Sequence, residues 1–484
     1  MAEGVRLGSL DRRSFLLGAG AAAGWLVARG LGATGPFAGE AELGPAAALR
    51  ALGASLTPRQ RELIVLPADH PSRQIVNTLS VLERPHLGTL LSPSQRALAE
   101  RLYLSMLSPR GREDFAGTVA IEGRLDGAVL VVYGEPEREG AQAVIMGGHL
   151  MLRSGGEGPG GAAFGGGIAY GHQIGNGRWR VPGNSFAYHG DAANRLYASL
   201  SAEERARVVL PAPPHELVLQ VQEEGGAFAG ARVASLSEAG REETARLLGS
   251  VLACYPENEQ ARALSCIEAN GGLGALHVAF FASHGFYEDM QPWGALAPAE
   301  RAGRGDPYWQ VWRLEGPGSI VHFQGYPHVH AYLQVVRDPA RARVGEALAS
   351  AGATVEGEAM RALLEGAMRG ATGEPLAFHP PEIPGRFCPG EITTGSAWAL
   401  DPYRNPLVVA EIEGRAMAAP LRERLAAAGA APAPEGRYRV ATTRYCAGRR
   451  DWFGEPERIQ ASEQLLRDAL VAHLRAGALT AARS

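Results

Sequence analysis

The hydrophobic period of this chain changes near residue 117, and that change restricts the folds open to it. Residues 55–110 read as helical. Ser92-Pro93 is a helix start, an N-cap followed by Pro at the first helical position, and Leu98, Leu102 and Met106 then recur at helical spacing. From Gly117 the pattern breaks into short β-branched or apolar runs separated by Gly and charge. Thr118–Glu122, Ala128–Tyr133 and Ala143–Met146 therefore read as strands. Helices return at Ser201–Val209, where Ser201 and Glu204 have capping-box spacing, and at Ser237–Tyr255. Strands follow at Leu276–Phe281, Trp309–Leu314, Ser319–Phe323 and His328–Val336. Beyond about residue 340 come a helix near Glu356–Arg369, a Pro-rich loop at Pro380–Pro389, a strand at Pro406–Glu413 and a final helix at Ser462–Ala476. The expected class is α+β: a large mixed domain with antiparallel strands, then a smaller α/β domain, divided near residue 340.

At 484 residues and 46% hydrophobic content, the chain can bury a core large enough for two domains. All 47 basic residues are Arg. A chain without Lys has no P-loop lysine, no Schiff-base lysine and no pyridoxal-phosphate anchor. The Gly-rich run Gly155–Gly167 is thus not a phosphate loop, and it reads as a surface loop. A formal charge of −4 argues against nucleic acid as a partner. The four cysteines, Cys254, Cys266, Cys388 and Cys446, form no C-x-x-C pattern, which disfavours a structural zinc site. Their order suggests the pairs Cys254–Cys266 and Cys388–Cys446, although spacing alone does not fix connectivity.

Arg12-Arg13-Ser14-Phe15-Leu16-Leu17 precedes a stretch of Ala, Gly and Leu that runs to about Val27. This resembles a twin-arginine export signal. An apolar core this short suits a signal, since a bilayer span needs about 20 residues. The resemblance implies residues 1–38 as signal peptide, with cleavage between Ala33 and Ala41, and the twin-arginine translocase as a partner during export. It also implies a periplasmic or secreted location. That route carries folded proteins, often with a cofactor in place. Loss of residues 1–38 removes four Arg, one Glu and one Asp and moves the net charge from −4 to −6. No later segment is long and apolar enough for a stable membrane span.

The sharpest chemical pattern is His328-Val329-His330-Ala331-Tyr332-Leu333-Gln334-Val335. Strand side chains alternate, so His328, His330, Tyr332 and Gln334 share one face and the apolar residues take the other. Two imidazoles at i and i+2 can reach one metal ion, and imidazole serves zinc, copper and iron. His149, in Gly147-Gly148-His149-Leu150 at a strand end, is a candidate third ligand, and His322, on the preceding strand, a fourth. Whether His322 joins that face depends on the turn through Gln324–Pro327: a two-residue loop opposes it, a three-residue loop aligns it. In an enzyme, an open position on the ion would activate water or oxygen, and Tyr332 would supply a proton or hydrogen bond. His172, His189 and His284 sit in loop-like stretches without partner spacing.

Residues about 55–338 resemble the family called domain of unknown function 3500. The likeness runs through Arg84-Pro85 with Gly88, Ser92–Gly111, Tyr133-Gly134-Glu135-Pro136, Gly148-His149-Leu150, Ala198–Ala206, Tyr308–Gly316 and His328-Val329-His330 before Arg337-Asp338-Pro339. Family members tend to carry G-H-H-L and H-I-H there. This chain keeps His149, His328 and His330 and has Gly148 in place of the first His.

Residues about 340–484 resemble the C-terminal domain of periplasmic 5′-nucleotidases. Gly390-Glu391-Ile392-Thr393 precedes Pro402-Tyr403-Arg404-Asn405, similar to P-F-x-N, and Tyr438–Thr443 is similar to Y-x-V-A-T-N. In that family two aromatics sandwich a base that Arg and Asn hold, and the resemblance carries these roles to Tyr403, Trp452 (or Phe453), Arg386 and Asn405. The ligand would be a nucleotide-like or aromatic small molecule, bound without chemistry. His379-Pro380-Pro381 replaces N-x-G-G, and Arg449-Arg450-Asp451 replaces the family's glycines. Cys388 and Cys446 flank the matched segments, and a disulfide between them is expected to lock the loop. No D-x-H or G-N-H-[DE] pattern of a two-metal phosphoesterase is present.

Overall fold

The computed structural model describes residues 44–75, 84–121, 124–147, 151–154, 164–169, 186–214, 219–282, 309, 311–324, 330–340, 342–380 and 385–479. The fold is α+β. The chain enters through helices α1 (Pro45–Ser55) and α2 (Pro58–Ile64), the latter closed by a Thr57–Gln60 capping box. Strand β1 (Val65–Leu66) and a 3₁₀ turn at Pro71–Gln74 follow, then α3 (Leu87–Leu90), α4 (Pro93–Ser105) and α5 (Pro109–Ile121). Helix α4 starts as its sequence signals: Ser92 caps, Gln95 returns the bond and Pro93 stands in the first turn. Strands β2 (Val129–Tyr133), β3 (Gln142–Met146) and β4 (Met151–Ser154) complete a four-stranded sheet in the order β1-β2-β3-β4.

A second, seven-stranded sheet has the order β5-β11-β10-β9-β8-β6, with β7 also on β8. Its strands are β5 (Phe164–Ala169), β6 (Val209–Leu210), β7 (Ala231–Arg232), β8 (His277–Phe281), β9 (Val311–Gly316), β10 (Ser319–Gln324) and β11 (His330–Val335). Helices α6 (Ala187–Ser199), α7 (Ala202–Val208), α8 (Glu238–Leu252) and α9 (Glu257–Ala269) belong to the same part of the chain. Strands β9 and β10 meet at Pro317-Gly318, where Gly318 has φ +68° and a Cβ would lie 2.7 Å from the Val336 carbonyl oxygen. Only Gly combines that backbone with that contact. One face of each sheet feeds a single core. Leu130, Val132 and Ile145 come from the first sheet, and Phe280, Trp312, Val321, Phe323 and Leu333 from the second, packed with Leu102, Phe115, Leu196 and Leu247 of the helices. Trp312 and Phe323 stack at 5.2 Å across their ladder pair.

Later residues build the strands β12 (Ala347–Ala351), β13 (Val355–Glu356), β14 (Leu376–Ala377), β15 (Arg386–Phe387), β16 (Gly390–Thr393), β17 (Pro406–Glu413), β18 (Arg437–Thr443) and β19 (Arg458–Leu465). They make two short ribbons, β12-β16 and β13-β15, and a sheet in the order β14-β18-β17-β19. Helices α10 (Gly357–Thr372), α11 (Thr394–Leu400), α12 (Ala419–Ala427), α13 (Arg444–Ala447) and α14 (Leu466–Arg475) accompany them, and α10 ends on Gly373 in the left-handed conformation. This part carries its own apolar clusters, one around Leu364, Phe387 and Leu470 and one around Phe378, Leu421 and Phe453.

The two parts touch through the Pro71–Gln74 turn and α11. The Gln74 amide oxygen accepts from Val344 N–H at 2.9 Å and from Thr393 Oγ1 at 3.3 Å. The Arg467 guanidinium lies 3.7 Å over the Trp398 ring, and His70 meets that ring edge-on at 5.2 Å.

Three expectations are corrected. Thr118–Ile121 continues α5 as helix. Ser108 bonds Gly111 N–H at 3.0 Å and starts that helix, no Pro follows to stop it, and β-branched residues cost a helix only tenths of a kcal/mol each, up to about 0.7. Ser462–Leu465 pairs with β17 as strand, so the last helix begins at Leu466. The Gly155–Gly167 run is not wholly loop: Phe164–Ala169 forms β5, whose backbone pairs along the whole of β11.

Candidate functional site

The face of the second sheet turned away from the main core is polar and buried. In antiparallel ladders, paired residues share a face. Arg313 pairs with His322, and His322 with Tyr332. Glu315 pairs with Ile320, and Gln324 with His330. Arg313, Glu315, His322, Gln324 and Tyr332 are all 3% exposed or less. Burying such groups is costly unless each is bonded, so the strip is held by mutual contacts. Arg313 Nη1 lies 3.5 Å from Glu315 Oε2. The Glu315 carboxylate also accepts from Ala229 N–H at 2.8 Å. Burial pulls the Arg313 pKa down and Glu315 opposes that pull, while Arg386 adds to it from the C-terminal part.

This register settles the position of His322. Residues 325–329 separate Gln324 from His330, an odd count that puts His322 and His330 on one face. The described side-chain partner of His322 on β9 is a cation. Arg313 Nε–H donates to His322 Nδ1 at 3.4 Å, so Nδ1 carries the lone pair and the ring proton sits on Nε2. A cation then faces the nitrogen a metal ion would need. His322 reads as an acceptor for the buried guanidinium, and its neighbour across the ladder is Tyr332, whose ring stacks on it at 6.4 Å.

Of the other expected ligands, His149 and His328 lie outside the described residues, and His330 is placed by its backbone register alone. Among the described residues no group of three or more His, Cys, Asp or Glu is arranged to hold an ion. The described residues therefore do not by themselves compose the metal site. His172 and His284 also lie outside the described residues. His189 is in α6 rather than a loop, 1% exposed between Tyr188, Phe186 and Phe323. Burial lowers its pKa to about 3, which makes it a neutral core residue.

The C-terminal candidates occupy three settings. Asn405 donates to Asp401 Oδ1 at 2.9 Å, and the Tyr403 carbonyl accepts from Arg467 at 3.2 Å. Tyr403 itself is 37% exposed. Trp452 is 8% exposed within the apolar cluster of Phe378 and Phe453, with the Arg449 guanidinium 4.3 Å over its ring. Arg386 lies on β15, where its charge acts on Arg313 of the polar strip, and its carbonyl accepts from Gln220 at 2.9 Å. A cavity of about 30 Å³, the size of one water, lies beside it, lined by Gln74, Gln220, Gln334, Arg343, Cys388 and Ser396.

The expected disulfides are not formed. Cys254, Cys266, Cys388 and Cys446 are all free and buried. Cys388 faces Arg386, Arg343 and the small cavity, whereas Cys446 sits under Thr443 at the start of α13, near Asp401. The flanking segments match in order, but their side chains point into different surroundings. Burial raises the Cys446 thiol to about 11.

The polar strip and Asp401 escape a reading by motif. In Val311-Trp312-Arg313-Leu314-Glu315, alternating charge is the pattern of a solvated strand face, and among the described residues the segment at 219–229 and Pro214 help to cover it. Asp401 ends α11 at 5% exposure, and burial raises its carboxyl to about 7 against the pull of Asn405 and Arg467.

A family described as "Protein of unknown function (DUF3500)" matches residues 44–293, just over half of the chain. The chain belongs to this family. The match takes in His149 and ends before β9, so the H-x-H strand lies beyond it. No curated protein matches. Among solved structures, the chain is similar to a 5′-nucleotidase precursor from Thermus thermophilus, at 15% identity and a TM-score of 0.24, over 35% of this chain and 47% of that one. It is also similar to a putative 5′-nucleotidase from Staphylococcus aureus, at 8% identity and a TM-score of 0.20, over 35% of this chain and 48% of that one. The chain spans about half the length of these structures.

Proposed function

We propose that this family member is an exported metal-binding protein that holds one copper, zinc or iron ion through His149, His328 and His330, with His322 outside the ligand set. The observation that carries the reading is the register of β11. The strand begins at His330, on the same face as the buried polar strip of Arg313, His322, Gln324 and Tyr332. A buried polar face whose strand opens on His330 is a setting in which hydrogen bonds can fix imidazole orientation around an ion. Export by the twin-arginine route rests on Arg12-Arg13-Ser14-Phe15-Leu16 and is consistent with folding around a resident ion before translocation.

Metal analysis of the purified chain is the test. The wild type should carry close to one ion, and His328→Ala and His330→Ala should each lose it. His322→Gln should retain it, since that ring serves Arg313. Wild type with less than about 0.2 ion per chain under metal-replete conditions would refute the reading.

A further inference from the structure

A second buried site lies on the outer face of the first sheet, where cations collect without a counter-ion among the described residues. Arg73, in the Pro71–Gln74 turn, is 5% exposed, and Arg153, on β4, is 7% exposed. Both donate to one neutral acceptor, Gln142 Oε1 on β3, from Arg73 Nε at 3.1 Å and from Arg153 Nη1 at 3.2 Å. Their other bonds go to backbone carbonyls. Arg73 Nη1 reaches Ala68 at 2.6 Å, and Arg153 reaches Arg73 at 2.7 Å and Ile75 at 2.9 Å. Arg73 Nη2 and Arg153 Nε are buried and bond nothing among the described residues.

Arg84 adds a third guanidinium, bonded to the Leu63 carbonyl at 2.6 Å. Tyr133 lies beside all three, but it is not their anion. His70 Nδ1 accepts from Ser72 N–H at 3.2 Å and from the Ser72 hydroxyl at 2.8 Å, so the Tyr133 phenol spends its own proton on Ser72 Oγ at 3.0 Å. The phenol oxygen is a dipole against two buried charges. Among the described residues no carboxylate forms an ion pair with Arg73, Arg84 or Arg153. Burial lowers the pKa of each, and Arg73, repelled also by Arg153, falls to about 10. Asp69, the one carboxylate that acts on this corner among the described residues, is exposed and acts on His70.

Guanidiniums are the usual protein groups for planar, bidentate recognition of carboxylate and phosphate. We infer that Arg73 and Arg153, converging on Gln142, form a binding site for an oxyanion, the carboxylate or phosphate group of a small molecule. The site is separate from the histidine strand and stands whether or not that strand binds metal.

The test uses the full chain in thermal-shift titrations at constant ionic strength, with chloride as reference and inorganic phosphate, sulfate and succinate as probes. At least one probe should raise Tm saturably and titrate calorimetrically at one site per chain. A response to phosphate and sulfate alone assigns the tetrahedral anion, and a response to succinate alone assigns the carboxylate. Arg153→Met should abolish the response. Gln142→Glu, which keeps the shared acceptor and adds a negative charge there, should raise Tm without any probe and weaken probe affinity at least tenfold. Being nearly isosteric, it carries the test even if Arg153→Met does not fold. No response of the wild type beyond chloride, or a wild-type response in Gln142→Glu, overturns the assignment.

Discussion

Replacing Glu315 with Ala leaves the Arg313 guanidinium at 1% exposure with no charged partner on its own strand. At the observed 3.5 Å and an effective dielectric near 20, the lost attraction is about 5 kcal/mol. The Ala229 N–H loses its 2.8 Å acceptor as well. Part of the loss returns as relaxation and water entry, so the expected destabilisation is about 3–5 kcal/mol, the range for breaking a buried pair from one side. The pair itself is worth far less. Arg313→Met with Glu315→Gln keeps the volume and the acceptor for Ala229 while removing both charges, and it should fall within about 1.5 kcal/mol of wild type. Urea unfolding at pH 7, followed through tryptophan emission and completed as a double-mutant cycle, measures this. Trp312, stacked on Phe323 on the opposite face of the same strands, is one of the seven tryptophans that report the transition. A loss under about 1 kcal/mol for Glu315→Ala, or a double variant as unstable as the single, would show that the strip is wet and that the argument from burial fails.

Three further outcomes follow from the buried titratable groups. The native state keeps the Asp401 proton up to about pH 7, whereas the ordinary value is 3.8, so its contribution is intact below about pH 4 and declines as pH rises to 7, by about 4 kcal/mol. Asp401→Asn should therefore flatten stability between pH 4 and 7 and exceed wild type at pH 8, and equal pH profiles from urea unfolding would contradict this. His189 and His379 have the opposite sign: burial lowers them to about 3 and about 4, so their contribution is intact above pH 6.5 and is lost as pH falls towards those values. His189→Gln should reduce proton uptake on acid unfolding by about one, read from the pH slope of the unfolding free energy. The four thiols should be silent to a chromogenic disulfide reagent in the native protein and should all titrate in guanidinium without reductant. A native count above zero, or a denatured count below four, would contradict free, buried cysteines.

Local signals in the sequence carried most of the fold. Ser92-Pro93 and the Ser201–Glu204 box start helices as their chemistry requires, and Ser319–Phe323 and Pro406–Glu413 are strands. What escaped depends on tertiary partners. Gly165, Gly166 and Gly167 have no side chains to alternate, so the sequence holds no strand period there, yet they pair opposite Gln334, Leu333 and Tyr332. The Ser462 segment was claimed by the backbone of β17. At the candidate sites, spacing pointed to the histidine strand but not to the Arg313 contact of His322, because that partner lies on a neighbouring strand. Arg153 stands in the sequence between Leu152 and Ser154 with no motif around it. Its meaning depends on Arg73, 80 residues away, and on the lack of a carboxylate partner among the described residues.

The Trp398 stack gives the molecule an optical seam. An indole held between an imidazole from residue 70 and a guanidinium from residue 467 has an emission colour and yield set by both neighbours at once. Parting the two halves of the chain by even a few ångströms exchanges the imidazole for solvent, while the guanidinium, on the same half as the indole, stays in place. Trp312, locked against Phe323 in the main core, is indifferent to such a movement. Of the seven tryptophans, these two have different jobs: Trp398 reads whether the halves are docked, and Trp312 reads whether the larger half is folded.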